Sequence, residues 1–245
     1  MTAAPVEIVV ADDKDALAQL VGARLRTAIE AARNDGRPAE VGLTGGSMGG
    51  AAVAALVRAV QEDPVDLSDL GLWWGDERYL PLGDPERNDT QADDAGLGSL
   101  GLPDDAVHRV PGPDCSANLE DAAQQYQRTI RDLGRGSFEV LLLGVGPDGH
   151  VASLFPGHPA QMTRDAITVA VHDSPKPPPE RVSLTFEAME RSREVWFIVA
   201  GADKAPAVRD GVEGAPAELS SAAQVRGTHR TVWFLDEPAA SLLSR

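Results

Sequence analysis

Short apolar runs alternate with stretches of helical spacing along the whole chain. Glu7 to Ala11 reads as a short strand, and Leu17, Leu20, Val21, Leu25, Ala28, Ile29 and Ala32 then fall on one face of a helix. Asp12 or Asp13 can cap that helix, and Gly36 with Pro38 stops it. The pattern repeats with Glu40 to Thr44 as a strand, Gly45 to Gly50 as a turn, Ala51 to Val60 as a helix ending before Pro64, and Leu70 to Trp74 as a strand. Gly75 to Pro113 is rich in Gly, Pro and Asp and too long for a plain connection, so it should hold function or small elements. Asn118 to Leu133 reads as a helix with Leu119, Ala122, Ala123, Tyr126, Ile130 and Leu133 inward. Phe138 to Leu143 and Val195 to Ala200 are almost continuously apolar, as strands covered on both faces of a parallel sheet should be. Further strands fall at Ala166 to Val171, Val182 to Phe186 and Thr231 to Leu235, with helices after Phe186 and Gly201. The alternation predicts an open α/β sheet. No internal repeat and no composition break marks a linker, so residues 1–245 are expected to form one domain.

Composition narrows the function. With 42% apolar residues, 245 residues can build a core that buries about 70 to 75% of the unfolded chain's surface, without metal or disulfide staples. The net charge of −16, with no basic stripe and only 4% aromatics, argues against nucleic acid and anionic membranes as partners. A single Cys115 excludes an internal disulfide, and the lack of CxxC, HExxH or a Cys/His cluster leaves no expected metal site. The opening segment MTAAPVEIVVADDKD does not read as a signal peptide, and no window approaches the length of a membrane span, so a cytoplasmic location is expected.

Five segments suggest chemistry. Gly42 to Gly50, GLTGGSMGG, lies between a strand and a helix, where exposed N–H groups make an anion site. The same segment satisfies G-x-S-x-G, so a nucleophilic Ser47 is the rival reading. Asp76, Glu77 and Arg78 follow a strand directly, at the end where such sheets place ligand contacts, although a solvated turn is the plain alternative. Trp73 and Trp74 read as core. Gly144 to Gly149 formally matches the dinucleotide pattern G-x-G-x-x-G, but Pro156 interrupts the helix that pattern requires. The same loop carries His150 two residues after Asp148. An imidazole with an ordinary pKa near 6.5 suits a general base at neutral pH, and a carboxylate beside it can orient it. His108, His158, His172 and His229 lack such a setting and read as structural or solvated. Last, the stiff SPKPPPER tract at Ser174 to Arg181 should hold Lys176 and Arg181 at fixed positions, and Lys204 follows a buried strand.

Taken in order, Gly45-Gly46-Ser47, Asp76-Glu77-Arg78 with Pro81 and Asn88, Gly146 to Gly157, Ser174 to Arg181, and Gly201 with Lys204 resemble the 6-phosphogluconolactonases along nearly the whole chain. The resemblance implies a Rossmann-like, mostly parallel sheet with helices on both faces, shared with glucosamine-6-phosphate deaminases and ribose-5-phosphate isomerases. It implies hydrolysis of 6-phospho-D-glucono-1,5-lactone in the oxidative pentose phosphate pathway, with no cofactor and a small sugar-phosphate lactone as the partner. Carried onto this chain, Gly45, Gly46, Ser47, Arg181 and Lys204 would hold the phosphate. His150 would activate water, with Asp148 behind it, Arg78 near the lactone and Asp76 in the same catalytic group. Where the family often has Thr-Pro after the loop serine, this chain has Met48-Gly49, which removes a hydroxyl. The deaminase relatives carry a carboxylate five residues after the histidine; Phe155 stands there, which favours the lactonase over a deaminase or isomerase. A non-catalytic sugar-phosphate sensor is the remaining alternative. Oligomeric state stays open, a monomer being compatible.

Overall fold

The computed structural model describes residues 5–244, so residues 1–4 of the opening segment discussed above lie outside the described residues. The strands are β1 (Val6–Ala11), β2 (Ala39–Leu43), β3 (Leu70–Trp74), β4 (Asp76–Arg78), β5 (Val140–Leu143), β6 (Thr168–Val171), β7 (Arg181–Leu184), β8 (Glu194–Val199) and β9 (Arg230–Asp236). The helices are α1 (Lys14–Asn34), α2 (Gly46–Glu62), α3 (Asn88–Asp94), α4 (Leu119–Leu133), α5 (Phe186–Glu190), α6 (Ala205–Glu213) and α7 (Glu237–Ala240).

Six strands make an all-parallel sheet in the order β1-β9-β8-β5-β2-β3. The chain travels outward from β2 to β3, then returns to lay β5 on the other side of β2 and continues through β8 to β9. Its direction reverses between β2 and β5, and the loops leaving these strands part there and open a crevice. Helices cover both faces. Neighbouring strand residues point to opposite sides; on β9, Phe234 meets Arg24 of α1 while Trp233 packs where α6 carries Gly211. Asp13 caps α1, its Oδ1 accepting from the N–H groups of Asp15 and Ala16 at 2.9 and 2.8 Å. Trp73 and Trp74 are fully buried, as the sequence indicated.

Three features depart from the sequence reading. The segments Ala166 to Val171 and Val182 to Phe186 do contain strands, but β6 and β7 join β4 in a separate antiparallel sheet of order β4-β7-β6. The connection from Val171 to Arg181 is too short for the crossover of about a dozen residues that parallel neighbours need, so antiparallel pairing is forced. Next, α2 begins at Gly46, not Ala51, so the glycine segment is the first turn of a helix. Finally, Leu133 is exposed at the frayed end of α4, although the helical stripe included it.

The irregular stretch after β3 is held by two buried side chains, Arg87 and Glu77. Arg87 is inaccessible to solvent and donates to both oxygens of Asp89, at 2.8 and 2.7 Å, and to the carbonyls of Leu80 and Val110, at 2.9 and 2.7 Å. Glu77, also inaccessible, accepts from the N–H groups of Arg78, Asn88 and Asp89 at 2.8, 2.7 and 2.9 Å. It therefore ties the β4 strand to the start of α3 and fixes where Arg78 begins its reach.

Candidate active site

A cleft of about 380 Å³ opens over the carboxyl ends of β2, β5 and β8 and beside β4, at the switch point. Gly45, Gly46, Ser47, Asp76, Arg78, His150, Arg181 and Lys204, drawn from five separate sequence segments, all line it. Thr44 Oγ1 closes the floor by accepting from Gly144 N–H at 3.3 Å, which joins the loops after β2 and β5. A pocket of about 420 Å³ also lies by Ile130, Phe138 and Ile167, beyond the amino end of β5; Arg131, Arg191, Asp165 and Glu187 share its lining, and no histidine is among the described residues that line it.

One end of the cleft is built for an anion. Gly45 is the N-cap of α2 and supplies no capping side chain; the Gly46 N–H donates to Gln91 Oε1 at 3.3 Å, and the first-turn N–H groups that follow it remain for a ligand. Gly46 turns the chain with φ of +74°, a conformation that costs glycine nothing. Arg78, Lys176, Arg181 and Lys204 all line the same cleft, against Asp76 as the one carboxylate among the described lining residues. The local sign is thus opposite to the chain's net charge of −16. Arg78 Nη1 donates to Glu86 O at 2.6 Å and to Asn88 Oδ1 at 2.7 Å, and it has no ion-pair carboxylate among the described residues. Burial pushes the Arg181 guanidinium down from its ordinary value, and Arg78 adds to this, while Asp76 pulls it back. A bound phosphate would supply the missing counter-charge.

At the other end sits His150. A turn closed by Gly146 N–H on His150 O (3.0 Å) and Gly149 N–H on Gly146 O (2.9 Å) holds it over the end of β5. Its Nδ1 lies 2.6 Å from Asp148 Oδ1. Burial alone would raise the Asp148 carboxyl, but hydrogen bonds and charge from His150 and Lys176 outweigh burial and hold it well below the usual carboxylate range. An ionised carboxylate only accepts, so Nδ1 carries the proton and Nε2 keeps its lone pair for the cleft. The Phe155 ring packs on the imidazole with centroids 4.4 Å apart, and Arg181 stacks on the same ring at 5.9 Å. Histidine and guanidinium are therefore held within a sugar's length of one another. None of the other four histidines lines the cleft; His108, for example, stacks on Trp73 at 3.7 Å.

The sequence motifs are sorted by this geometry. Arg181 is more committed than its position suggested. Its Nε donates to Pro178 O (3.2 Å) and its Nη2 to Lys176 O and Pro177 O (3.1 and 3.0 Å), which leaves Nη1, 3.9 Å from Asp76 Oδ2, for a ligand. Asp76 accepts from Ser153 Oγ at 2.5 Å and faces Arg181, with no hydrogen bond to His150. Asp148 stands behind His150 and not on the cleft wall. Ser47 lies in a helical turn with the positive φ on Gly46, not on the serine, and no histidine hydrogen-bonds to it among the described residues. A nucleophile elbow has neither property. The loop after Gly144 is followed by irregular chain and a short 3₁₀ turn at Pro159–Met162, so the long helix of a dinucleotide site is missing. Asn88 and Lys176 carry more of the site than the sequence alone revealed: Asn88 braces Arg78 and Asp76, and Lys176 meets the Asp148–His150 pair. Their polar type inside Pro-rich turn segments was the available signal, but their partners are distant in sequence.

Fold and cleft together define a sugar-phosphate enzyme, and comparison with known proteins gives its family. Residues 12–233 match the model described as glucosamine-6-phosphate isomerases/6-phosphogluconolactonase, and the chain belongs to that family. Within it, the similarity runs to 6-phosphogluconolactonases. That of Streptomyces coelicolor is 46% identical over 248 residues, covering 98% of this chain and 95% of the relative. That of Mycobacterium leprae is 40% identical, covering 94% and 95%. The crystal structure of 6-phosphogluconolactonase from Thermotoga maritima superposes with a TM-score of 0.82 at 28% identity, covering 95% of this chain and all (100%) of that one.

Proposed function

We propose that this cleft hydrolyses 6-phospho-D-glucono-1,5-lactone to 6-phospho-D-gluconate, the second step of the oxidative pentose phosphate pathway. The observation that carries the reading is that one cleft joins an oriented imidazole to a glycine-rich helix start, with Arg78, Arg181 and Lys204 in the same lining. The family's lactonase members support the same substrate.

The α2 turn at Gly45 to Ser47, Lys204 and the free Nη1 of Arg181 hold the phosphate. The lactone carbonyl then lies toward His150. A water gives its proton to Nε2 while its oxygen bonds to C1, and the carbonyl electrons move onto oxygen. Arg78, free of any carboxylate partner, stabilises that oxyanion. As the C1–O5 bond breaks, the imidazolium returns the proton to the ring oxygen, which becomes the C5 hydroxyl. The acid product ionises in water. A ring ester is already electrophilic, so one base and one oxyanion donor suffice. Phe155, at 2% exposure beneath His150, offers no carboxylate of the kind a deaminase would use for proton shuttling.

The test is a rapid pH-stat assay on freshly generated lactone. His150→Asn is expected to lose about 10²- to 10⁴-fold in rate. A loss below tenfold, with the fold intact by circular dichroism, removes His150 from the role. Loss of activity in Ser47→Ala, together with trapping of an acyl-enzyme on Ser47 of the wild type, would favour a serine mechanism instead.

A further inference from the structure

Lys176 reaches the site from the Pro-rich connection between β6 and β7, and its ammonium is set against the inner edge of the histidine. Its Nζ lies 3.1 Å from Asp148 Oδ1 and 3.3 Å from His150 Nδ1. The backbone that carries it is tied down. Ser174 N–H donates to Pro179 O and Ser174 Oγ to Lys176 O, both at 2.9 Å, and Arg181 clamps the carbonyls of Lys176, Pro177 and Pro178. Three N–H groups of one guanidinium thus hold the backbone from which this lysine reaches the histidine.

We propose that Lys176 is a positioning residue that keeps His150 in its neutral, proton-accepting form at neutral pH. This rests on His150 being the general base. Asp148 alone gives the ring the right tautomer, but a carboxylate 2.6 Å away also favours the imidazolium, which cannot accept a proton from water. A fixed ammonium beside the same ring nitrogen opposes that charge. It also shares the Asp148 oxygen that His150 uses. Orientation by Asp148 is kept, and its acid-strengthening cost to the base is offset.

The other charges around the ring do not replace it. Arg181 packs on the Phe155 ring and directs its Nε and Nη2 donors to the carbonyls of residues 176–178, with no hydrogen bond to the imidazole. Arg78 and Asp76 of β4 and Lys204 beyond β8 line the same cleft. Asp76 is turned to Ser153 and Arg181, and Lys204 lies 3.2 Å from Asp203. Lys176 is the cation in direct contact with the Asp148–His150 pair.

The sign follows from removing a cation beside a titrating imidazole: the imidazolium becomes easier to form, so its titration moves to higher pH. In Lys176→Met the acid limb of kcat/KM should move up by about one pH unit, which is tenfold in neutral imidazole below the limb. Above the limb the rate should stay within a few-fold of wild type, and Lys176→Arg should restore most of the profile. NMR titration of the His150 ring provides a readout separate from catalysis and should move by the same amount. An unmoved His150 titration in a folded Lys176→Met protein overturns the proposal. So does a uniform fall in kcat/KM at every pH, which would make Lys176 a substrate contact. If the ring titration moves but His150→Asn retains activity, the general-base reading fails while the Lys176–His150 coupling stands.

Discussion

Gly146 allows the pose of the histidine to be tested without touching the histidine. A Cβ at this position would lie 2.1 Å from both Nδ1 and Cε1 of His150 and 2.5 Å from Asp148 Oδ1. Non-bonded heavy atoms settle at about 3.5 to 4.0 Å. In Gly146→Ala the ring must therefore retreat by more than an ångström. The Nδ1–Oδ1 contact is 2.6 Å, and a shift of that size takes it out of hydrogen-bond range. A catalytic group misplaced by about 1 Å costs about 10²-fold, and loss of the tautomer adds to this. Activity should fall by at least about 100-fold. Stability should fall by no more than about 3 kcal/mol, the range of one lost charge-assisted hydrogen bond, because Gly146 is not among the positive-φ glycines and the atoms displaced are side-chain ends. Initial rates on fresh lactone, corrected for spontaneous hydrolysis, are compared with urea unfolding of the same preparations. Activity within tenfold of wild type would refute the requirement for this imidazole pose. A stability loss above about 3 kcal/mol would show that the loop, not the ring, had given way.

Arg181→Ala should raise KM about ten- to hundredfold, from loss of a charge-assisted hydrogen bond to phosphate. Arg181→Lys should not restore it, because one ammonium cannot hold the carbonyls of residues 176, 177 and 178 and also face the cleft; full rescue by lysine would sink the clamp. Arg87→Ala should cost about 3 to 5 kcal/mol in urea unfolding, since it strands Asp89 in the interior; a loss under about 1 kcal/mol would show that the buried pair does not hold the β3–α4 connection.

Much of this was legible because local pattern carries it. Phe138 to Leu143 and Val195 to Ala200 are apolar without interruption, and their strands β5 and β8 lie side by side in the middle of the sheet. Asp13 stands where a cap belongs and is one. His150, two residues from Asp148 on a glycine-flanked loop, needed no distant partner to be noticed. The start of α2 was missed because glycines lower helix propensity; here the chain accepts that cost at a helix start that lines the cleft.

The amino-acid sequence by itself determined the succession of strands and helices, the absence of the charge pattern that nucleic acid requires, and the short motifs from which a phosphate cradle and a base could be inferred. These follow from neighbours a few residues apart, where periodicity and turn chemistry act. Only the tertiary structure decided that β6 and β7 leave the main sheet, that Arg181 divides itself between clamp and cleft, and that Lys176 stands against Asp148 across 28 residues of chain. Those depend on which surfaces meet when the core closes, and pairing between distant segments is set by burial and register, which no local window contains.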